Sequence, residues 1–102
     1  MRTVMVQYKT SPAQADANEA LIRAVFAELH ASTPQGLRYA TYRLPDGVTF
    51  LHIATVQTTD ANPLTALPSF KAFQAQLKER CVEAPVVTEL NAIASYSSAT
   101  LS

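Results

Sequence analysis

His52 is the residue of this chain best suited to chemistry. It is the one ionisable group in the run VTFLHIATV, Val48 to Val56, and an imidazole among apolar residues can act as a base near neutral pH or hold a ligand's hydroxyl or carboxylate. The same ring can equally donate to a backbone carbonyl, or to a tyrosine across a dimer, and do nothing more. Tyr42 is the second candidate: a phenol can orient a phenolic or quinone-like substrate, and it is also an ordinary way to fill a half-buried interface. Tyr39 and Tyr42 face opposite sides of their strand, so at most one shares a face with His52. Arg38 and Arg43 alternate in the same way and are suited to binding a carboxylate. An arginine on an edge strand is ordinarily solvent-facing or paired to an acid such as Glu89.

The remaining reactive types carry less. His30 closes a helix, where a partly positive imidazole is favourable against the dipole. Cys81 falls late in a second predicted helix, the wrong end for lowering a thiol pKa, and no acid or histidine is spaced to activate it. As the only cysteine it forms no internal disulfide and reads as a reduced, partly buried thiol. Two histidines far apart, without C-x-x-C or H-x-x-x-H spacing, predict no metal site. The two glycines, Gly36 and Gly47, both lie in turn sequences, so no phosphate-binding loop and no cofactor is expected.

These residues need elements to hold them. Val48 to Val56 is apolar on both faces except at His52, the pattern of a strand in the interior of a sheet. Thr3 to Lys9 is a first strand, with Val4, Val6 and Tyr8 on one side. Ser11, Pro12 and Gln14 form a helix-start signature, and an amphipathic helix follows from about Pro12 to His30. Leu37 to Leu44 is a strand leading into Pro45, Asp46 and Gly47, which suit a type I turn with a G1 bulge and Gly47 at positive φ. That turn places Leu44 opposite Val48, Tyr42 across from Phe50 and Ala40 across from His52. A two-residue Asp-Gly turn would instead bring Thr41 opposite His52. The first is preferred because proline is a poor partner in a paired strand position, and it makes Tyr42 the tyrosine on the face of His52.

After Gln57 the segment TTDANP is a loop and LTALP adds a turn. Ser69 caps a second helix, Phe70 to Val82, with Phe70, Phe73, Leu77 and Cys81 inward and Lys71, Gln74, Lys78 and Arg80 on the wetted surface. Pro85 breaks the chain into a last strand, Val86 to about Tyr96, and residues 97–102 form a frayed tail.

The order strand, helix, strand, strand, helix, strand describes a ferredoxin-like α+β fold, βαββαβ, over residues 1–102 as one domain. Right-handed crossovers set both helices on one face of a four-stranded antiparallel sheet in the spatial order fourth, first, third, second. The uncovered face, by the preferred register, carries Ala40, Tyr42, Leu44, Val48, Phe50, His52, Ala54 and Val56. Such a patch calls for a cover, most simply a second copy of the chain. If those residues lie under the helices instead, Thr49, Leu51, Ile53 and Thr55 are exposed, and the need for a partner remains.

Composition narrows the function classes. Of 102 residues 48% are hydrophobic, which excludes disorder. Lysine plus arginine and aspartate plus glutamate both total 8, and no basic block occurs, so neither nucleic acid nor an anionic membrane is an expected partner. No stretch reads as a signal peptide or a membrane span, and a cytoplasmic location is expected.

The segments LIRAVFAELH, GLRYATYRLPDGVTFLHIA and SFKAFQAQLKERC resemble those of the dimeric α+β barrel superfamily, in particular small proteins related to antibiotic biosynthesis monooxygenases, over about residues 2 to 96. The resemblance implies a homodimer in which two sheets face each other and ligands occupy cavities between sheet and helices. It implies a cofactor-independent, monooxygenase-like enzyme acting on an aromatic or apolar metabolite, and the residues that the strand reading offers such an enzyme as catalytic are His52 and Tyr42. Haem-degrading enzymes, isomerases and proteins without an established activity share the fold. Monooxygenases of this superfamily often place an asparagine, a tryptophan and a tyrosine or histidine around the substrate; this chain has no tryptophan, and the resemblance does not single out Asn18, Asn62 or Asn91 as that asparagine. The other reading is a non-catalytic dimeric module that binds a small molecule or another protein.

Overall fold

A computed structural model describes residues 1–57 and 62–98. In chain order it contains β1 (Arg2–Thr10), α1 (Ala15–Ser32), β2 (Leu37–Arg43), β3 (Thr49–Val56), α2 (Pro68–Ala75), the short α3 (Leu77–Arg80) and β4 (Cys81–Leu90). The strands form one antiparallel sheet in the order β2-β3-β1-β4. The helices pack on one face of it, giving the ferredoxin-like α+β architecture predicted, with β3 in the interior. The expected loop after Gln57 and the frayed tail lie largely outside the described residues.

The hairpin between β2 and β3 decides which side chains share a face. It closes with the predicted left-handed glycine: the Gly47 amide donates to the Leu44 carbonyl at 2.9 Å, and Gly47 sits at φ +78°. The G1 pairing of Leu44 with Val48, and the register it set, are not formed. Leu44 faces Thr49, its amide donating to the Thr49 carbonyl at 2.9 Å, so Thr41 lies opposite His52 and Arg43 opposite Phe50. The cause is the Asp46 carboxylate, one oxygen of which accepts the amides of Val48 and Thr49, each at 2.9 Å, while the other accepts the Thr49 hydroxyl. Val48 is thereby held out of the ladder with β2, and its carbonyl turns to the Thr10 amide of β1.

Because side chains alternate, a one-residue slip reverses the faces of β2 relative to β3. Phe50, His52 and Ala54, expected on the open face, are buried beneath the helices. There they join Tyr8, Ile22, Val25, Phe70 and Phe73 in or beside the core. The open face carries Leu51 and Ile53, both half-buried, with Met5 and Val86 in register beside them. Tyr42 lies there too and is 55% exposed.

Five further expectations are corrected. Ser11 makes no side-chain cap; its carbonyl accepts the Gln14 amide and its own amide donates to the Arg80 carbonyl. Ser69 does not cap α2, because Glu28 of α1 does so, accepting both the Ser69 amide at 3.0 Å and its hydroxyl. The second helix ends early, after a break at Gln76, and Cys81 and Val82 already belong to β4. Pro85 lies within that strand rather than before it. It falls where β4 advances three residues, Glu83 to Val86, against two on β1. β4 is an edge strand, so a missing amide there costs no second ladder. The strand ends at Leu90 rather than near Tyr96.

Candidate active site

Alternation along β1 and β3 directs Tyr8 and His52 toward the helices, and β2 adds Tyr39 and Thr41 from the same side. All four side chains meet at one imidazole. The Tyr8 hydroxyl lies 2.8 Å from Nε2 of His52, while the Tyr39 hydroxyl at 2.5 Å and the Thr41 hydroxyl at 3.2 Å both approach Nδ1. Aromatic rings wall the imidazole in, with centroids at 5.3 Å for Tyr8, 5.8 Å for Tyr39 and 5.4 Å for Phe73. Phe26 of α1 stacks on Tyr39 at 5.0 Å with ring planes 7° apart.

A second tier lies behind Tyr8. Asn18 of α1 donates from Nδ2 to the Tyr8 oxygen at 2.9 Å, and its Oδ1 accepts from Arg80 Nε at 3.0 Å. Arg80 also donates to the Phe73 carbonyl at 2.6 Å and lies over the Phe73 ring at 5.3 Å. Arg80 is only 5% exposed and Asn18 is fully buried. Among the described residues Arg80 has no carboxylate partner, and its charge rests on amide oxygens and a ring face.

Burial governs the ionisation of these groups. It lowers the His52 pKa to about 4, because the charged imidazolium would lose its hydration. It raises Tyr39 to about 12, partly offset by the hydrogen bond to Thr41, and raises Tyr8 still further against the opposing hydrogen bond from Asn18. At neutral pH the imidazole and both phenols are therefore uncharged. The imidazole is a weaker base than its isolated position in the sequence implied.

A cavity of about 190 Å³ opens beside this cluster, between sheet and helices. Val4, Val6, Ala54, Leu64, Phe70, Phe73 and Leu77 form its apolar wall, and Tyr8, Tyr39 and His52 its polar side. Asn62, Thr65 and Gln74 complete the lining. A larger hollow, about 470 Å³, lies between α1 and β2 and is bordered by Glu19, Arg23, Tyr42 and Arg43. Its cations are already held, Arg23 by Glu19 at 3.0 Å and Arg43 by Asp16 at 3.1 Å, Glu19 at 2.9 Å and the Gly47 carbonyl at 2.8 Å. The smaller cavity is the better candidate, since a mostly apolar lining with a few convergent polar groups characterises ligand sites.

The other residues singled out from the sequence are dispersed by the fold. Tyr42 does not meet His52; it is replaced there by Tyr39, three residues earlier and on the opposite side of β2. Arg43 pairs with Asp16 and Glu19 rather than Glu89, which is bound by Arg2 at 3.1 Å. His30 is exposed in the last turn of α1. Cys81 is half-buried at the start of β4, where burial raises its thiol pKa. Asn62 borders the cavity with its side-chain oxygen on the Leu64 amide at 3.0 Å, and Asn91 is exposed beyond β4. Sequence reasoning missed Tyr8 and Asn18, and it placed on the wetted surface Arg80, which the fold buries. A signal existed for two of them: Asn18 falls on the buried stripe of α1 with Ala15, Ile22 and Val25, and Arg80 continues the spacing of Phe70, Phe73 and Leu77.

No protein-family profile matches the sequence, and no curated protein matches it significantly. Solved structures do share its fold. Rv0793 from Mycobacterium tuberculosis is 22% identical with a TM-score of 0.76, over 94% of this chain and 98% of that one. An antibiotic biosynthesis monooxygenase is 19% identical with a TM-score of 0.75, over 92% of this chain and 100% of the other. SnoaB from Streptomyces nogalater, a cofactor-independent oxygenase whose structure is that of a mutant, is 20% identical with a TM-score of 0.61, over 92% and 94%.

Proposed function

We propose that this chain is a cofactor-independent, monooxygenase-like enzyme that takes a small aromatic or otherwise apolar metabolite into the cavity beside His52. The observation that carries this reading is the meeting of His52 and Tyr39 on the wall of an apolar cavity. The likeness of fold to proteins described as monooxygenases supports it. At about 190 Å³ the cavity lies below the usual range for drug-sized ligands, so a substrate of one or two rings fits it best. In such a reaction a phenol itself supplies the electrons that reduce dioxygen: one oxygen atom enters the ring as a quinone carbonyl and the other leaves as water. His52 and Tyr39 would hold the substrate oxygen and its proton.

A second reading has its own support. Both ring nitrogens of His52 already have hydrogen-bond partners within the chain, which suits a binding module without turnover. An oxygen-consumption and ligand-binding screen over mono- and bicyclic phenols, repeated with His52→Gln, separates the two. For an enzyme, turnover should fall by about 10²-fold or more. Retained turnover and affinity in a variant whose melting temperature alone moves would remove His52 from the site. Binding without oxygen consumption would establish the module.

The open sheet face supports assembly. With Met5, Leu51, Ile53, Tyr42 and Val86 on one side of the sheet, the reading includes a homodimer joined through these faces. Light scattering at low micromolar concentration should give twice the chain mass, and Ile53→Asp should reduce it. A parent protein that stays monomeric there would refute the dimer.

A further inference from the structure

The buried tier behind Tyr8 has a direction, and it ends in the cavity. Arg80 can only donate, so its contact with Asn18 assigns the nearer Asn18 atom as oxygen and leaves the amide nitrogen to face Tyr8. The Tyr8 oxygen therefore accepts from Asn18. Its own proton has one acceptor among the contacts observed, Nε2 of His52 at 2.8 Å. In the alternative, Nε2 carries the proton and donates to Tyr8. That leaves a hydroxyl proton without an acceptor on a residue only 2% exposed, the costlier arrangement.

A neutral imidazole with a bare Nε2 is protonated on Nδ1. The Nδ1 proton then goes to the nearer of its two partners, the Tyr39 oxygen at 2.5 Å. Tyr39 becomes an acceptor toward His52, and its own proton is left for Thr41 or for a group in the cavity.

We propose that Arg80, acting through Asn18 and Tyr8, fixes His52 in the Nδ1–H tautomer and so makes the Tyr39 hydroxyl a hydrogen-bond donor to the bound ligand. The ligand then presents an acceptor oxygen, a ketone or quinone carbonyl or a phenolate. This rests on the cavity being the ligand site, while the tautomer itself can be measured without any ligand. Arg80 and Asn18 are positioning residues: neither needs to touch the ligand.

The test is the nitrogen spectrum of His52 in protein with labelled histidine at neutral pH. The parent should show Nδ1 protonated and Nε2 bare; the reverse would overturn the proposal outright. Asn18→Asp keeps an oxygen for Arg80 and turns the other atom into an acceptor for the Tyr8 proton, so the spectrum should switch to Nε2–H. Arg80→Gln, which can offer either oxygen or amide to Asn18, should show both tautomers. A folded variant of either kind that keeps a pure Nδ1–H spectrum would overturn the role of the tier. For the ligand side, acetophenone serves as a neutral carbonyl probe. Its carbonyl stretch should shift to lower frequency when bound to the parent, and that shift should be lost in Asn18→Asp. Bound acetophenone with an unshifted band would refute donation by Tyr39. Failure of acetophenone and phenols alike to bind would count against the cavity reading, and with it the donor role of Tyr39, while leaving the tautomer assignment standing.

Discussion

On the helix-covered side of the sheet Phe50, His52 and Ala54 of β3 are buried, whereas Leu51 and Ile53 of the same strand are only half-buried on the other side, beside an exposed Tyr42. Both sides mix apolar and polar residues, yet they differ in how their polar groups are treated. Beneath the helices every buried side-chain nitrogen or oxygen among the described residues has a hydrogen-bond partner, and five side chains are chained from Arg80 to Tyr39. On the open side Gln7 and Arg38 are exposed to water, and Thr3 and Thr55 bond each other, at 3.0 Å. The covered face is built to retain a specific polar arrangement within an apolar core, which confers specificity at an energetic risk. Among the described residues the open face carries no comparable chain of buried polar groups.

That contrast can be broken most forcefully at Phe50. Its side chain is 1% exposed and stacks on the Tyr8 ring at 5.6 Å between centroids. Phe50→Ala should cost about 3–5 kcal/mol in urea unfolding, as expected for a buried aromatic replaced by a cavity. A cost below about 1 kcal/mol would mean that the faces have been assigned the wrong way round.

The next effect is read by pH. His52 is neutral in the fold, with its pKa lowered to about 4 from the ordinary 6.5. The unfolded chain binds a proton that the folded chain does not, so stability is full above about pH 6.5 and declines as pH falls toward 4. The loss over that window is on the order of 3 kcal/mol. Equilibrium unfolding at several pH values should show it, and His52→Gln should flatten the curve there. An unchanged curve would place His52 in a hydrated environment like that of the open face. Glu28 and Asp46, held low by hydrogen bonds from Ser69 and from Thr49 with Val48, contribute in the same direction, below the ordinary carboxylate range.

The smallest effect concerns the turn that sorts the faces. A Cβ at Gly47 would meet only Arg43 Nη2, at 4.0 Å, so Gly47→Ala is opposed by backbone strain alone. Its cost should be about 1 kcal/mol, measured by thermal melting. A stabilised variant would contradict the positive φ on which this hairpin closes.

Periodicity and turn chemistry in the sequence determined the large features of this protein. An apolar two-faced run placed β3 in the interior, alternating βαββαβ elements set the strand order, and Pro45-Asp46-Gly47 specified a turn with a left-handed glycine. These are local signals, carried by neighbours along the chain. The same signals left two registers for the hairpin, and so two candidates for the tyrosine beside His52, between which the structure decided. A carboxylate in the turn captured the amides of Val48 and Thr49, shifted the pairing by one residue and exchanged Tyr42 for Tyr39, since side-chain direction has a period of two. Likewise, nothing local joins Tyr8, Asn18, His52 and Arg80. They come together because β1, α1, β3 and the end of α3 pack around one core, where a polar group without a partner is too costly to keep.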